Sequence, residues 1–149
     1  MPQATRKKCF EIAKSLQKGD ILFWRKYKFS NGNQKNKYIL ILSNCINGKY
    51  YVYTMPTSQV DFYKNPRNKI DTIWLRANQV KQFPLNTVVD LKHFFLGRAS
   101  LIGEKLYDNT LEIVGKLPNN IVYQIDGVVR NAKTLNPKIK SLILGATIC

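Results

Sequence analysis

The sequence is short of the side chains that most enzymes use for acid–base and metal chemistry. It contains one histidine and 9 acidic residues among 149. A lone histidine cannot form a two-histidine acid–base pair within one chain. The acidic residues are scattered rather than clustered, and neither a glycine-rich phosphate loop nor a G-x-S-x-G turn occurs. We therefore expect no metal and no cofactor, so that any catalysis has to use Thr, Ser, Lys, Arg, a single Asp or the single His.

Cysteines and long apolar runs are equally sparse. Cys9, Cys45 and Cys149 are odd in number and widely separated, which speaks against a disulfide framework or a zinc site. No run approaches the roughly 18 apolar residues that a membrane span needs. Charged residues soon follow the basic residues 6–8, so we do not expect a signal peptide. These absences predict a cytoplasmic protein with no role at membranes.

Positive charge is the strongest feature that the composition does have. Lys and Arg number 24 against 9 acidic residues, which gives a formal charge of +15. A field of this sign attracts polyanions, and RNA, DNA, an anionic membrane surface or an acidic protein segment would each satisfy it. Charge alone does not choose among these partners.

The sequence of the first third of the chain predicts a helix followed by strands. Residues 4–18 carry apolar side chains at helical spacing, and residues 21–29 then alternate with period two. That alternation places four side chains on one face: Phe23, Arg25, Tyr27 and Phe29. Residues 30–37 contain no apolar side chain and predict a mobile, basic loop. The apolar run 38–42 predicts a strand that is buried on both faces.

A hairpin and two further strands are expected in the middle of the chain. Asn47 and Gly48 form the strongest short hairpin signal, and residues 49–57 supply the returning strand. Residues 69–76 and 87–95 are the other predicted strands.

The last third predicts a helix at residues 117–135, although Gly127 weakens its interior by about 1 kcal/mol. Asn136 and Pro137 should end this helix, and the tail 138–149 has no clear pattern. The length allows one hydrophobic core, so we expect a single, mainly β domain with terminal helices.

Five short segments resemble, in the same order, motifs of the MazF/PemK (Kid) family of toxins. They are residues 18–21 (KGDI, similar to G-D-I/V), 37–44 (KYILILSN, similar to R-P-x-x-V-I-x-N), 52–58 (VYTMPTS, similar to V-x-P-(I/L)-T-S), 87–90 (TVVD, similar to a later strand) and 113–117 (IVGKL, similar to I-G-x-L). The resemblance implies a small SH3-like (CcdB/PemK-type) β-barrel with a C-terminal helix at residues 19–135. An extra N-terminal helix at residues 1–18 would precede the barrel, and a tail at residues 136–149 would follow it.

The family resemblance also implies an activity and its partners. It implies a homodimer that cleaves single-stranded RNA without metal, through attack of the ribose 2′-hydroxyl, and that an acidic antitoxin protein inhibits. Lys37, Thr57, Ser58 and Asp90 match or stand near the motif positions that would carry the chemistry, and removal of the 2′-hydroxyl proton would fall to Asp90 or another weak base. Lys37 stands where the family has Arg, and a lysine lacks the planar fork that holds two phosphate oxygens. A non-catalytic module of the same fold that binds nucleic acid or protein is the alternative.

RNA is expected to lie along the strands that flank the 30–37 loop, where aromatic and basic residues alternate. The residues expected to bind it are Arg25, Tyr27, Lys28, Gln34, Lys35 and Lys92. His93 would share a face with Val89 and Leu91, so we expect a partly buried, structural histidine rather than a catalytic one.

Overall fold

The computed structural model describes residues 5–145 as a small mixed α/β protein with an antiparallel five-stranded sheet in the order β6-β3-β2-β1-β7 and a two-stranded sheet, β4-β5. Some of the expected features lie outside the described residues. They are the first residue of the helix expected at residues 4–18 and the end of the expected tail, which includes Cys149. The elements are α1 (Arg6–Lys14), β1 (Asp20–Lys28), β2 (Gln34–Ile41), β3 (Tyr50–Thr54), a 3₁₀ helix (Val60–Lys64), α2 (Pro66–Lys69), β4 (Thr72–Leu75), β5 (Thr87–Asp90), β6 (Phe94–Arg98), α3 (Ala99–Tyr107), β7 (Leu111–Lys116), α4 (Asn119–Asn131) and α5 (Pro137–Leu144).

The centre of the large sheet is buried on both faces, because alternate residues of its central strands belong to two different cores. Leu40 of β2 faces a core completed by β4, β5, α4 and α5. Ile39 and Ile41 face a second core, which α1 and α3 complete. The prediction that residues 38–42 form a strand buried on both faces is therefore confirmed.

Hydrogen bonds and packing hold helix α1 against the face of the sheet to which Ile39 and Ile41 contribute. The Thr5 hydroxyl caps its first turn by accepting a hydrogen bond from the Lys8 backbone nitrogen at 3.1 Å. At its other end, the buried Tyr51 hydroxyl donates to the Ala13 carbonyl at 2.5 Å and accepts from the Leu16 nitrogen at 3.1 Å. The helix also packs against α3, so it is an integral part of the core.

A bulge in β1 overturns part of the predicted side-chain pattern. Trp24 pairs with Lys37, but Tyr27 pairs with Lys35, so β1 has one residue more than β2 between these pairs. Lys26 occupies the bulge with a φ of 56°. The extra residue reverses the alternation, and Tyr27 therefore lies beside Trp24 rather than on the predicted face with Phe23 and Arg25.

The predicted mobile loop at residues 30–37 is shorter than expected. The chain turns at residues 30–33, where the Phe29 nitrogen donates to the Asn33 carbonyl at 2.9 Å. Gln34 already pairs with Lys28, so residues 34–37 belong to β2 despite their polar sequence. Backbone pairing with β1 outweighs the low strand propensity of this segment.

The hairpin signal is confirmed, whereas other expected boundaries shift. Asn47 and Gly48 both have positive φ, 55° and 67°, as the two central residues of a type I′ turn require, and Ile46 pairs with Tyr50 across the turn. The prediction of a single strand at residues 87–95 is wrong, because β5 and β6 lie in different sheets and a turn separates them.

The helices after β6 also differ from the expectation. Helix α3 was not predicted at all, and α4 ends four residues before its expected end. Asn136 caps the start of α5 by accepting from the Ile139 nitrogen at 2.9 Å, so the first part of the expected tail is a helix. None of the helices in the described part of the chain is long and apolar enough to cross a membrane.

The two edges of the large sheet differ. At the β7 edge, the Gln82 side-chain amide donates to the Val114 carbonyl at 2.9 Å. Gln82 fits closely here because Gly115 has no side chain, and a Cβ at that position would meet the amide nitrogen at 2.1 Å. The opposite edge is β6, whose neighbour within the sheet is β3.

Candidate nucleic-acid interface

Two adjoining cavities form one groove, which we name the Lys37 groove. Their volumes are about 510 and 330 Å³, and Lys37, Thr57 and Gln59 line both of them. The larger cavity is also lined by Lys35, Asn36, Tyr38, Pro56, Ser58, Gln82, Phe83, Pro84, Leu85 and Thr87. The smaller one is also lined by Phe29, Thr54, Met55, Phe62, Tyr63, Asp90, His93 and Phe95. The structure thus brings together all four residues expected to carry the chemistry.

Thr57 occupies a fixed position where the two sheets meet. Its backbone nitrogen donates to the Val88 carbonyl at 3.0 Å, and the Val88 nitrogen donates back at 2.8 Å. The Thr57 hydroxyl oxygen accepts from the Gln59 nitrogen at 3.1 Å. Its own hydrogen can therefore point into the groove towards an anion. Ser58 follows on the exposed surface.

Lys37 lines the same groove as these hydroxyls and supplies a partly buried positive charge. Its ammonium lies 5.6 Å from the centre of the Phe29 ring, within cation–π range. Burial, and then the neighbouring charge of Lys35, lower the pKa of Lys37 below its ordinary value. A phosphate in the groove would relieve both effects, because it would give the ammonium a partner of opposite charge.

Aromatic side chains surround the smaller cavity. Phe62 and Phe95 are exposed, at 57% and 40% of their surface. Phe95 stacks on Tyr53 with ring centres 5.3 Å apart, and Phe29 packs edge-on against Tyr27 at 5.2 Å. Exposed faces of this kind, next to ammonium groups, suit the stacking of unpaired bases.

Asp90 lies at the floor of the smaller cavity, and its side chain is only 4% exposed. One carboxylate oxygen accepts from the Lys92 backbone nitrogen at 2.9 Å and lies 3.0 Å from the Lys92 ammonium. The other accepts from the Tyr63 hydroxyl at 2.8 Å. Burial, and then this hydrogen bond, raise the pKa of Tyr63, so its hydroxyl stays protonated and continues to donate. Asp90 is the one acidic residue among those that line the groove.

His93 is exposed, and the prediction of a partly buried structural histidine is wrong. Its side chain is 70% exposed, and Nε2 lies 3.5 Å from the buried oxygen of Asp90 that Tyr63 also contacts. The period-two pattern fails because residues 91–93 form a turn rather than a continuous strand. The sequence signal that points to this residue is that it is the chain's only histidine, three positions after an acid.

Comparison with known proteins gives no family for this chain. No family model matches its sequence, and no curated protein matches it at a significant level.

The residues expected to bind RNA are divided between two places. Lys35 lines the Lys37 groove, and Gln34 is exposed at the start of the same strand. Arg25, Tyr27 and Lys28 line a separate cleft beside residues 105–110. The Arg25 guanidinium there pairs with Glu112 and donates to the Asn109 carbonyl at 3.0 Å.

Lys92 lies below the groove surface. Its ammonium donates to the carbonyls of Asn68, at 2.7 Å, and Ile70, in addition to its ion pair with Asp90. It therefore forms an ion pair with the carboxylate and ties α2 to the turn after β5. Between residues 5 and 145, no three His, Cys, Asp or Glu side chains converge in a way that would hold a metal ion.

Proposed function

We propose that this chain is a toxin-type endoribonuclease that cleaves single-stranded RNA without a metal ion, through attack of the ribose 2′-hydroxyl. The observation that carries the proposal is the position of Lys37 and Thr57 where the two cavities of the groove meet. A phosphodiester held there would meet an ammonium and a hydroxyl donor, with space for a nucleotide on either side. Donors in fixed positions stabilise the charge that develops on phosphorus oxygens during cleavage.

Each catalytic residue has a distinct role in this proposal. Lys37 stabilises the phosphate charge, and the Thr57 hydroxyl donates to a second phosphate oxygen, with Ser58 next to it. Asp90 was expected to accept the 2′-hydroxyl proton, but its oxygens are buried and already accept hydrogen bonds. Its contribution is therefore to hold the groups around it, including Tyr63, in position.

The charge and the aromatic rings of the groove favour single-stranded RNA as the substrate. Phe62 and Phe95 offer exposed faces for unstacked bases, while Lys35 and Lys37 meet the backbone. A base in a duplex has no free face to stack on these rings. Duplex DNA should therefore bind through charge alone, more weakly than RNA at physiological salt.

The proposal includes the partners that the MazF/PemK resemblance implies. A protein with a formal charge of +15 should bind an acidic antitoxin segment, which would cover the groove and dissociate as salt increases. We also propose a homodimer, located in the cytoplasm with its RNA substrate. A closed, SH3-like barrel is part of the same proposal, and the Thr57–Val88 bridge between the two sheets supports it. Sedimentation across micromolar concentrations tests the dimer, which a purely monomeric protein would contradict.

Incubation of end-labelled, single-stranded RNA with purified protein in EDTA tests the activity. Wild type should give products with a 2′,3′-cyclic phosphate and a 5′-hydroxyl. Thr57→Ala and Lys37→Ala should abolish cleavage without unfolding the protein, and Lys37→Arg should preserve or raise the rate. Lys138→Ala is a matched control, because Lys138 is exposed on α5 and does not line the groove. Full cleavage by Thr57→Ala would contradict the proposal.

A non-catalytic RNA-binding module is the second candidate function. The burial of Asp90 favours it, since this removes the expected base from contact with substrate. RNA that binds in the groove but remains intact in the same assay would identify this function.

A further inference from the structure

The proposed reaction needs a group that removes the proton of the 2′-hydroxyl, and the groove contains a side chain suited to that task. His93 lines the same cavity as Lys37 and Thr57, and its imidazole is largely exposed. Neutral imidazole is the side chain that most often accepts protons in catalysis near neutral pH. We infer that His93 is the general base of the proposed endoribonuclease and that Asp90 is its positioning residue. This inference rests on the proposed function.

The backbone of His93 is fixed by three interactions. Its nitrogen donates to the Asp90 carbonyl at 3.3 Å. Its carbonyl accepts from the buried Thr54 hydroxyl at 2.8 Å. The next residue, Phe94, pairs with Thr54 as β6 begins. The imidazole therefore projects from a rigid turn, as a catalytic group requires.

The two nitrogens of the His93 ring have different surroundings. Nε2 faces the Asp90 carboxylate, 3.5 Å from its oxygen, which leaves Nδ1 to accept a proton in the tautomer that carries its hydrogen on Nε2. The Tyr63 hydroxyl donates to the same Asp90 oxygen at 2.8 Å. A buried carboxylate behind an exposed imidazole also stabilises the imidazolium that forms when the proton is taken.

The charged and titratable groups around His93 come from three parts of the fold. Asp90 and Lys92 belong to the end of β5 and its turn, Tyr63 to the 3₁₀ helix and Lys37 to β2. Lys92 is paired with Asp90 and with two carbonyls. The negative charge of Asp90 is the one closest to the imidazole.

The step balances as a transesterification. His93 Nδ1 takes the proton of the 2′-hydroxyl, and the 2′-oxygen forms a bond to phosphorus. The bond between phosphorus and O5′ breaks, and O5′ takes one proton from solvent water. The products are a 2′,3′-cyclic phosphate and a 5′-hydroxyl, and the imidazolium then returns its proton to solvent. No oxidation, reduction or co-reactant is involved.

Single-turnover cleavage of a labelled RNA oligonucleotide, in EDTA and across a range of pH, tests the inference. Wild-type activity should rise as pH increases from acidic values, because a general base has to be deprotonated before it can act. His93→Gln should lower the rate by roughly 10²- to 10⁴-fold and remove this acid limb. Binding of an uncleavable oligonucleotide with a 2′-deoxyribose at the cleavage site should not change. His93 is exposed, so this variant should fold, and far-UV circular dichroism checks it.

Two further variants separate catalysis from a structural role. Added imidazole should restore part of the activity of His93→Gly and none of that of Thr57→Ala. Asp90→Asn should lower the single-turnover rate but not the affinity for the uncleavable oligonucleotide, because the imidazole loses the carboxylate that orients it. Lys138→Gln, an exposed substitution outside the groove, should leave the rate and the profile unchanged.

The outcomes distinguish this inference from the function on which it rests. If wild type cleaves RNA and His93→Gln retains both the rate and the acid limb, His93 is not the base and the endoribonuclease function stands. If wild type does not cleave RNA at all, both are overturned.

Discussion

Lys35 and Lys37 lie two residues apart on β2, so both side chains project from the same face of the strand. The first charge lowers the pKa of the second, in addition to the larger effect of burial. The groove is therefore set up to accept negative charge.

Alkaline pH should weaken RNA binding in a way that identifies Lys37. The charged ammonium is present below its lowered pKa and is lost as pH rises through that value, so affinity should fall at a lower pH than the ordinary 10.5. Lys35→Ala should move this fall to higher pH, although its overall affinity will be lower. Lys37→Arg should remove the part of the fall that lies below 10.5, because guanidinium remains charged. Fluorescence anisotropy with an uncleavable RNA gives the midpoints, and identical midpoints for wild type and Lys35→Ala would contradict the assignment.

Removal of one exposed ring should weaken RNA binding without affecting the fold. Phe62→Ala should lower the affinity for single-stranded RNA roughly 5- to 150-fold, the effect of a lost base stack of about 1–3 kcal/mol. Tyr123→Ala is the matched control, since this exposed aromatic residue lies on α4 and not in the groove. Equal losses in the two variants would mean that Phe62 contacts no base.

The attachment of α1 should depend on one hydroxyl. Tyr51→Phe leaves the Leu16 nitrogen and the Ala13 carbonyl without their buried partner, which should lower the free energy of unfolding by about 1–3 kcal/mol. Urea denaturation measures this loss. Tyr123→Phe removes an exposed hydroxyl and should leave the midpoint unchanged. Coincident curves for all three proteins would show that the tyrosine contributes only its ring.

Lys92 should affect stability more than RNA binding. Lys92→Met leaves the buried Asp90 carboxylate without its ion pair, and this should lower the free energy of unfolding by roughly 3 kcal/mol. The double variant with Asp90→Asn should be less destabilised than the sum of the two single variants. Unchanged stability together with a loss of RNA affinity would return Lys92 to the RNA-binding residues.

Local sequence signals predicted the parts of the fold that local chemistry determines. The Asn47–Gly48 turn needs only two residues that accept positive φ. The unbroken apolar run at residues 38–42 indicates by itself that both faces of the strand are buried. The bulge at Lys26 was not predictable, because it exists only through pairing with β2. Helix α3 was missed for a related reason, since its buried face is defined by contact with α1.

The site was predicted in part. Lys37, Thr57, Ser58 and Asp90 do line one groove, which motif order alone suggested. The exposure of His93 was not predicted, because the period-two alternation of the expected strand 87–95 was extended through residues that form a turn. In that turn the Asp90 side chain accepts a hydrogen bond from the Lys92 backbone nitrogen. A contact of this kind between a side chain and the backbone leaves no periodic pattern in the sequence.

The contact between Gln82 and Val114 satisfies a backbone group at one edge of the large sheet. The Val114 carbonyl of the edge strand β7 accepts from the Gln82 side-chain amide at 2.9 Å. A carbonyl that already has a side-chain partner is less available to a strand of another molecule. Gln82 therefore protects this part of the β7 edge against strand addition and aggregation.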